Sequence, residues 1–397
     1  MTGGQKRKYG DQVMYHGGAG RGGSLRGVHD VTAHGARGDG EQDDAGAVQQ
    51  AIDAAGEGGI VWIPPGIYRL GAGLSVASAA VQVVGAGWDP RGGGGSWVLV
   101  TDPSVAAITI TRAAAGAAIK NLAVRQAHPA PGPGWTPRPY PAALEIGADD
   151  VLVRDVHLFN VRHGVSLRSP GGSVGRARLE RIFGEPLEEG ITIDTALDVV
   201  MVDGVHFWPF WSLDDPNVAA YRHRHAVAIR SLRNDNPHLT RLFAFGYAVG
   251  IQFEAGADVN AGPTSRFRIS DADLDDVVRG VAIRGADTTG MITNLTVCGV
   301  RVGGSGGIDV DGARCTLQAT NVRVTHQQAS GIRVSGPGSR VLVDNVWLEG
   351  WDRSRRACPG IEAAAPGTTV RLGSLHLGSG TEHAPLWGGA GTVHVAG

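Results

Sequence analysis

Apolar and polar residues alternate in short runs over most of the chain, and one phrase returns along it. In this phrase, Gly or Ala is followed by an apolar residue, a variable residue and a second apolar residue. It occurs as AALEI at 142, GVSL at 164, GITI at 190, AVAI at 226, GIQF at 250, GVAI at 280, GIDV at 307, GIRV at 331 and GIEA at 360. Alternation with a period of two predicts β-strands, and no helical pattern separates these runs.

The spacing of the phrases predicts how the strands associate. Successive phrases start mostly 21 to 30 residues apart, and one step of 36 residues contains an insertion. A strand–turn–strand unit of this size cannot bury its apolar face alone, but it can do so when it stacks on copies of itself. We therefore predict an all-β fold, a single parallel β-helix over residues 28–397. A β-sandwich is the alternative, but its strands do not repeat one phrase in constant phase.

One α-helix is predicted near the start of this domain, at about residues 43–55. Asp43 or Asp44 can cap its N-terminus, and Gly56 ends it. The apolar positions Ala47, Val48, Ala51, Ile52 and Ala55 fall on one face. Such a helix would cover the exposed apolar end of the coil stack, which otherwise invites aggregation.

The stretch VTAHGARGDGEQDDAGAVQQAIDAAGEGGIVWIPPGIYRL resembles the N-terminal signature of the pectate-lyase-like superfamily of right-handed parallel β-helices (the pectin lyase fold). Its members share Gly-Ala-x-Gly-Asp-Gly, then Asp-Asp, an Ala-rich helix and Pro-Pro-Gly-x-Tyr. The resemblance implies the fold and an association with carbohydrates. It does not imply one activity, because the superfamily includes polygalacturonases, polysaccharide lyases, epimerases and bacteriophage tailspikes. The Asn-Thr-Asp and Asp-Asp-Cys motifs of polygalacturonases are not found, so their catalytic residues do not carry over.

Composition narrows the range of partners. The chain has 36 Lys and Arg against 38 Asp and Glu, which argues against nucleic-acid binding. No apolar run approaches the roughly 18 residues needed to span a bilayer. The three cysteines have no metal-ligand spacing, so we expect neither a metal nor a cofactor. Calcium at DADLDD (271–276) is kept as an alternative, and the group Asp39, Asp43 and Asp44 is attributed to the helix cap.

Long or polar loops come directly before the phrase in most repeats. They are 126–141, 160–163, 184–189, 208–225, 245–249, 274–279, 325–330 and 349–359. Equal phase in a coil stack means an equal edge, so these loops should form a wall along one side. Function on a rigid scaffold is usually carried by such loops.

Two columns of this wall are predicted to carry acid–base chemistry. Arg162, Glu188 and Arg224 stand two residues before the phrase, and His163, Glu189 and His225 stand one residue before it. In-register stacking would bring neighbours to within about 5 Å. A carboxylate beside a neutral histidine can exchange protons near pH 7. The alternative is a charge-complementary ladder that only fixes the register.

The insertion at 207–225 is rich in aromatic residues. It holds Phe207, Trp208, Phe210, Trp211 and Tyr221 beside Asp214, Asp215, Arg222 and His223. Aromatic faces stack on sugar rings, while carboxylates and arginines bind hydroxyl and acidic groups. Sugar contact, packing back onto the coil and contact with a neighbouring subunit all remain open.

These patterns define a candidate site. The predicted catalytic residues are Glu188, Glu189, Asp214, Asp215, His163 and His225. The predicted substrate-binding residues are Trp208, Trp211, Tyr221, Arg222, His223, Arg162, Arg224, Tyr247, Asp276 and Trp135. One coil step between Glu188 or Glu189 and the Asp214–Asp215 pair approximates the carboxyl spacing of about 5.5 Å in retaining glycosidases. A two-step alternative pairs Asp275 or Asp276 with the same two aspartates.

The leading hypothesis is a carbohydrate-active β-helix that binds and cleaves an extracellular polysaccharide, as a glycosidase or a polysaccharide lyase. A polar arm at residues 1–27 also fits a phage-type tail or head spike, attached to the particle by that arm and assembled as a homotrimer. The alternative from another class is a non-catalytic structural or receptor-binding virion spike. Each version predicts an extracellular or virion-associated protein.

Overall fold

The computed structural model describes residues 27–91, 93–170, 172–257, 261–300, 306–379 and 385–395. Two parallel sheets and two α-helices make up this part of the chain. The predicted arm at residues 1–27 lies outside the described residues except for Gly27.

The elements are numbered in chain order. The first sheet has 18 strands: β1 Val28–Asp30, β2 Asp39–Asp43, β3 Ile60–Ile63, β4 Gly66–Leu70, β6 Gln82–Gly85, β7 Ser96–Val100, β9 Ala118–Gln126, β11 Leu152–Leu158, β13 Arg178–Gly184, β15 Met201–Phe207, β17 His238–Phe245, β19 Phe267–Val277, β21 Thr289–Gly299, β23 Thr316–Thr325, β25 Arg340–Glu349, β27 Thr369–Leu372, β28 Leu375–Leu377 and β30 Thr392–Val395. The second sheet has 12 strands: β5 Leu74–Val76, β8 Ile108–Ile110, β10 Ala142–Ile146, β12 His163–Leu167, β14 Glu189–Ile193, β16 Val227–Ser231, β18 Val249–Phe253, β20 Arg279–Ile283, β22 Gly306–Val310, β24 Ile332–Val334, β26 Ile361–Ala363 and β29 Trp387–Gly388. The helices are α1 Ala45–Ala55 and α2 Pro216–His225, with a 3-10 turn at Val31–His34.

The chain passes alternately through the two sheets, and each coil lies on the one before it. In the second sheet β12 pairs in parallel with β14, and β14 pairs with β16. Like side chains therefore stack inside the molecule. Val165, Ile191, Ile229 and Ile251 form one such column, and none is more than 2% exposed. This arrangement confirms the predicted parallel β-helix, with the repeated phrase forming the second sheet.

The phrase begins with glycine because adjacent coils approach closely at that point. A Cβ on Gly164 would lie 2.3 Å from the carbonyl oxygen of Gly190 and 2.8 Å from Leu158 Cδ1. A Cβ on Gly190 would lie 2.3 Å from the carbonyl oxygen of Ala228. Any side chain would collide there, so the first position of the phrase must be very small.

The phrase AVAI at 226 is two residues out of register with its neighbours. Ile191 pairs with Ile229 rather than with residue 227, so the matching unit is Ala228–Ser231. The insertion before it ends in α2, which runs to His225 and shifts the start of the strand. The predicted register is therefore wrong at this one coil.

Each long strand of the first sheet has a residue with a left-handed backbone at a corresponding position. These residues have φ between 51 and 74° and are Asn121, Asp155, Arg181, Gly204, Arg241, Asp271, Asn294, Asn321 and Asn345. For residues other than glycine, this conformation costs about 1–2 kcal/mol. A side-chain ladder offsets part of that cost. Asn321 donates to Asn294 (2.9 Å), and Asn345 donates to Asn321 (2.7 Å).

The N-terminal signature residues pack on one another. Tyr68 is 1% exposed and lies beneath Gly38. A Cβ on Gly66 would lie 2.8 Å from the carbonyl oxygen of Gly38. The buried carboxylate of Asp44 accepts from the backbone N–H groups of Arg37 (2.8 Å) and Gly38 (3.0 Å). These contacts close the first loop of the domain, which explains why the N-terminal signature contains these residues.

Helix α1 caps the stack as predicted, with one difference at its start. Its buried side chains join the coil core and are Ala45, Val48, Ala51 and Ile52. Asp44 occupies the N-cap position, but its side chain makes no hydrogen bond to the helix. Asp43 Oδ1 instead accepts from the N–H groups of Ala45 and Gly71, each at 3.1 Å.

Candidate functional site

An open cleft of about 510 Å³ lies on the outer face of the second sheet, across β10, β12, β14 and β16. The third position of each phrase points outward, and these positions are in register from coil to coil. The polar side chains that line the cleft are Glu145, His163, Ser166, Arg168, Glu189, Thr192, Asp194 and Arg230. The site is therefore built on strands, with loops at its rim.

Glu189 lies at the centre of the cleft. Thr192 Oγ1 donates to Glu189 Oε2 (2.7 Å), and Arg230 Nη1 lies 3.1 Å from Glu189 Oε1. The side chain keeps 27% of its surface exposed. The carboxylate is thus both oriented and accessible to a ligand.

Only part of the predicted stacking in the two columns is present. His163 and Glu189 are direct partners in the parallel register, as predicted. On the next coil Val227 lies opposite Glu189, because Arg224 and His225 belong to the last turn of α2. The expected stacking of Arg224 and His225 on the glutamates is therefore wrong.

His163 is a neutral imidazole beside this carboxylate. Burial lowers the pKa of His163 below its ordinary 6.5 and outweighs the opposing effect of the Glu189 carboxylate. Its Nδ1 is buried with no hydrogen-bond partner in the described part of the chain. The lowered pKa favours the neutral imidazole and makes His163 a weaker base than a free histidine.

Glu188 has a different role. Arg162 Nη2 lies 2.9 Å from Glu188 Oε2, and Tyr221 donates its hydroxyl to Glu188 Oε1 at 2.5 Å. Burial raises the pKa of Glu188, but the hydrogen bonds from Arg162 and Tyr221 outweigh it, and the pKa is lowered. The three side chains join α2 to the coil, and His163 Nε2 also lies 3.4 Å from Glu188 Oε2.

Among the described residues that line the cleft with Glu189, neither Asp214 nor Asp215, its predicted partners, is present. Asp215 caps α2, accepting from the N–H groups of Asn217 (2.9 Å) and Val218 (3.3 Å). Asp214 is exposed and has a φ of 65°. Part of the insertion folds into a helix, so these aspartates lie at its N-terminal end.

Arg222 and Tyr247, predicted to bind substrate, are interior residues. Arg222 is 1% exposed, and its Nη1 lies 3.3 Å from Oε1 of the fully buried Glu185. Its guanidinium lies over the ring of Tyr247 at 4.7 Å. Tyr247 donates to the carbonyl oxygen of Pro186 (3.0 Å). Both are corrections, since these side chains fasten α2 to the coil.

The aromatic residues of the insertion divide into two groups. Trp211 and Tyr221 pack against Trp135 of the 126–141 loop. Trp208 remains 41% exposed and lies 4.7 Å from the ring of Phe245, at the end of the first sheet. Packing back onto the coil is thus the outcome for the first three, whereas Trp208 stays available to a partner.

The last turn of α2 lines a separate cavity that shares Arg230 with the cleft. His223 Nε2 lies 3.0 Å from Asp276 Oδ2, so these two predicted binding residues hold each other. Arg224 and His225 are exposed, and the ring of His225 lies 4.6 Å from that of Tyr221. His225 therefore lies close to the coil that carries Glu189, but it is not stacked on Glu189.

Sequence reasoning missed several residues of the cleft. Glu145, Thr192 and Arg230 all occupy the third, variable position of the phrase. Asp194 lies just beyond β14, with Arg168 Nε 3.3 Å from its Oδ2. A polar residue at an outward-facing strand position was the sequence signal for these residues. The prediction considered only the loops before the phrase.

No metal centre or membrane segment is found within the described residues. They contain no group of three or more His, Cys, Asp or Glu side chains that could hold an ion. Neither of the helices described is long and apolar enough to cross a bilayer. The calcium alternative at 271–276 remains untested.

Comparison with known proteins shows which class of protein the chain is similar to. Residues 28–134 match the family model described as "Rhamnogalacturonase A/epimerase, pectate lyase-like". Residues 28–134 are thus similar to pectate-lyase-like domains, and the resemblance found in the sequence is confirmed. No curated protein matches the chain significantly.

Solved structures share the fold over almost the whole chain. The catalytic unit of a thermostable GH87 alpha-1,3-glucanase from Streptomyces thermodiastaticus superposes with a TM-score of 0.61, at 19% identity over 94% of this chain and 68% of that one. The Agl-KA catalytic domain gives 0.54, at 16% identity over 96% and 70%. Pre-mature gene product 12 of bacteriophage phi29 gives 0.57, at 14% identity over 87% of this chain and only 52% of that one. At these identities the similarity shows the fold alone.

Proposed function

We propose that the protein is a carbohydrate-active enzyme that binds an extracellular polysaccharide in the cleft and hydrolyses it at Glu189. One observation carries the proposal: the Glu189 carboxylate is held by Thr192 and Arg230 in an open cleft, beside the neutral His163. A carboxylate held in this way can act on a glycosidic bond or on a water molecule.

Glu145 supplies a second carboxylate. Its strand position lies two coils from Thr192, whose hydroxyl binds Glu189. Two coil steps are roughly 9.6 Å, close to the separation of about 6.5–9.5 Å used by inverting glycosidases. Glu189 would accept a proton from the attacking water, and Glu145 would protonate the leaving oxygen. This pair replaces the predicted pairing with Asp214 or Asp215.

The place where the protein acts is proposed from the solved structures that share its fold. The solved structures that share the fold include a glucanase and a phage protein. Either setting places the substrate outside the cell, as a matrix polysaccharide or a surface glycan. The protein would then be secreted or carried on a virion.

The test is a panel of polysaccharides assayed for both reducing ends and the absorbance of unsaturated uronates. We expect reducing ends without that absorbance. Glu189→Gln should lower kcat by about 10²–10⁴, the usual contribution of a general acid or base. The matched control is Glu180→Gln, on the opposite sheet of the same coil, which should leave kcat unchanged.

Other outcomes are informative. Unsaturated products that disappear in Glu189→Gln would identify a lyase and contradict hydrolysis. Full activity in Glu189→Gln would remove the proposed site.

A second candidate function is a non-catalytic structural or receptor-binding spike, assembled as a homotrimer and attached by residues 1–27. It is favoured by exposed apolar side chains on or beside the first sheet, namely Trp208, Met291, Leu342 and Trp347. Sedimentation tests it. A trimer that releases no product from any glycan would favour the spike, and a monomer at micromolar concentration would exclude it.

A further inference from the structure

An imidazole is buried among aromatic side chains on the first sheet, away from the cleft. His157 is 0% exposed. Both of its ring nitrogens are buried, and neither has a hydrogen-bond partner among the described residues. Four aromatic rings surround it, with centroids between 4.6 and 5.9 Å away: Trp88, Trp97, Phe159 and Phe210. A neutral imidazole fits these surroundings, whereas a charged one would be costly.

Within the described part of the chain, the elements packed on His157 bring no charge to its ring. Its register partners are Ala123 on β9 and Phe183 on β13, and the four surrounding rings carry no charge. Burial is therefore the cause that lowers the pKa of His157 from 6.5 to about 4.

The ionisable groups around these rings are few. The ring of His206 lies 5.9 Å from that of Phe210, and burial lowers the pKa of His206 as well. The guanidinium of Arg125 lies 5.9 Å from the Trp97 ring, on the other side of the imidazole's neighbours. Acid therefore charges two imidazoles that share Phe210 as a neighbour.

Two segments that cover the buried ring are held differently. Trp88 donates its indole N–H to the carbonyl oxygen of Asp155 (2.8 Å). Phe210 has an apolar side chain that can form no such bond. Leu213, three residues further on, is 83% exposed and has a left-handed backbone with a φ of 47°, which costs free energy in any residue but glycine. The 208–213 segment is therefore the cover that opens more easily.

A buried carboxylate holds the other side of this segment. Glu185 accepts from the backbone N–H groups of Trp211 and Ser212, each at 2.8 Å. Burial raises the pKa of Glu185, while Arg222 and these hydrogen bonds oppose the rise. Since a raised pKa lets the closed form bind a proton more readily, acid acting on Glu185 favours closure. Variants at His157 are needed to separate the two effects.

We propose that acid releases the 208–213 segment from the first sheet while the stacked coils stay folded, with His157 as the group that takes up the proton. Moving Phe210 aside admits water to the imidazolium, which is stable there. The closed form has the lower pKa, about 4 against an ordinary 6.5, so the open form binds the proton first as pH falls. Opening is thus favoured increasingly between about pH 6.5 and 4.

The released segment leads directly into α2, which contacts the coil beside the cleft through Tyr221 and Glu188. The device therefore lies next to the proposed site. The inference does not depend on hydrolysis, because it concerns a local opening of the folded protein.

Hydrogen–deuterium exchange of the whole protein at pH 7 and pH 5 tests the proposal, after correction for the intrinsic pH dependence of exchange. The amides of Trp211 and Ser212 report the opening, because both are hydrogen-bonded in the closed form. Their opening constant should rise on acidification, and the rise in the wild type should exceed that in His157→Phe about twentyfold. The matched control is His238→Phe, at the opposite end of β17 from its aromatic residues, which should keep the wild-type rise.

A second variant covers the case in which His157→Phe does not fold. Phe210→Ala uncovers the imidazole at every pH, so the rise on acidification should shrink severalfold. Melting temperatures verify that the variants fold. Equal rises in the wild type and in these variants would overturn the proposal. It would also be overturned by an equal increase in exchange in β10 and β14, since the coils would then unfold together with the segment.

Discussion

The two sheets use their surface charges differently. On the first sheet Arg181 and Arg241 each face one aspartate through a two-pronged contact. Arg181 Nε lies 2.5 Å from Asp155 Oδ1, and Arg241 Nε lies 2.8 Å from Asp203 Oδ1. On the second sheet Arg230 is shared between two carboxylates and uses a single nitrogen for both.

This difference indicates which face accepts a ligand. The pairs on the first sheet include residues with the left-handed backbone, so their donors and acceptors are already used. The second sheet holds carboxylates and guanidinium groups in an open cleft without matching them one to one. A polar ligand can complete that network.

The largest effect on stability should come from the buried pair beneath α2. Glu185→Ala leaves Arg222 charged and buried, so it should cost about 3–5 kcal/mol. The exposed pair gives the matched control, because Asp203→Ala should cost about 0–1 kcal/mol. Chemical denaturation measures both. Equal losses of unfolding free energy in the two variants would contradict the contrast between the buried Glu185–Arg222 pair and the exposed Asp203–Arg241 pair.

A smaller loss of stability is expected at acidic pH. Burial lowers the pKa of His157, on the first sheet, from 6.5 to about 4. The unfolded chain therefore binds the proton first as pH falls, and stability is lost between about pH 6.5 and 4. At pH 5 the loss is about 2 kcal/mol.

His157→Phe should remove this part of the acid sensitivity. The ring of His157 packs against Trp88 at 4.6 Å and Phe210 at 5.0 Å, a site where phenylalanine fits. Denaturation at pH 7 and pH 5 should differ by about 2 kcal/mol less in the variant. An unchanged difference would mean that His157 is not the group responsible.

Sequence alone predicted the parts of the molecule that obey the repeat. Constant phase put His163 next to Glu189, and the structure agrees. The insertion could not be placed in this way. Asp215 followed by Pro216 is a helix-start signal, but only Val218 and Arg222 are buried in α2. No apolar stripe therefore identified the helix.

The missed part of the site has a related cause. Glu145 and Arg230 stand at the variable position of the phrase, where the repeat specifies no side chain. Their importance depends on which coils lie beneath the loops at the rim. That depends on the register, which α2 shifts by two residues.

The most direct test of the central claim is a crystal structure of Glu189→Gln with a glycan that the protein binds in the polysaccharide panel. The account predicts sugar rings along β10, β12, β14 and β16, within hydrogen-bonding distance of Glu145 and Arg230. A glycan bound instead on the first sheet, beside Trp208, would contradict the claim that the second sheet is the functional face.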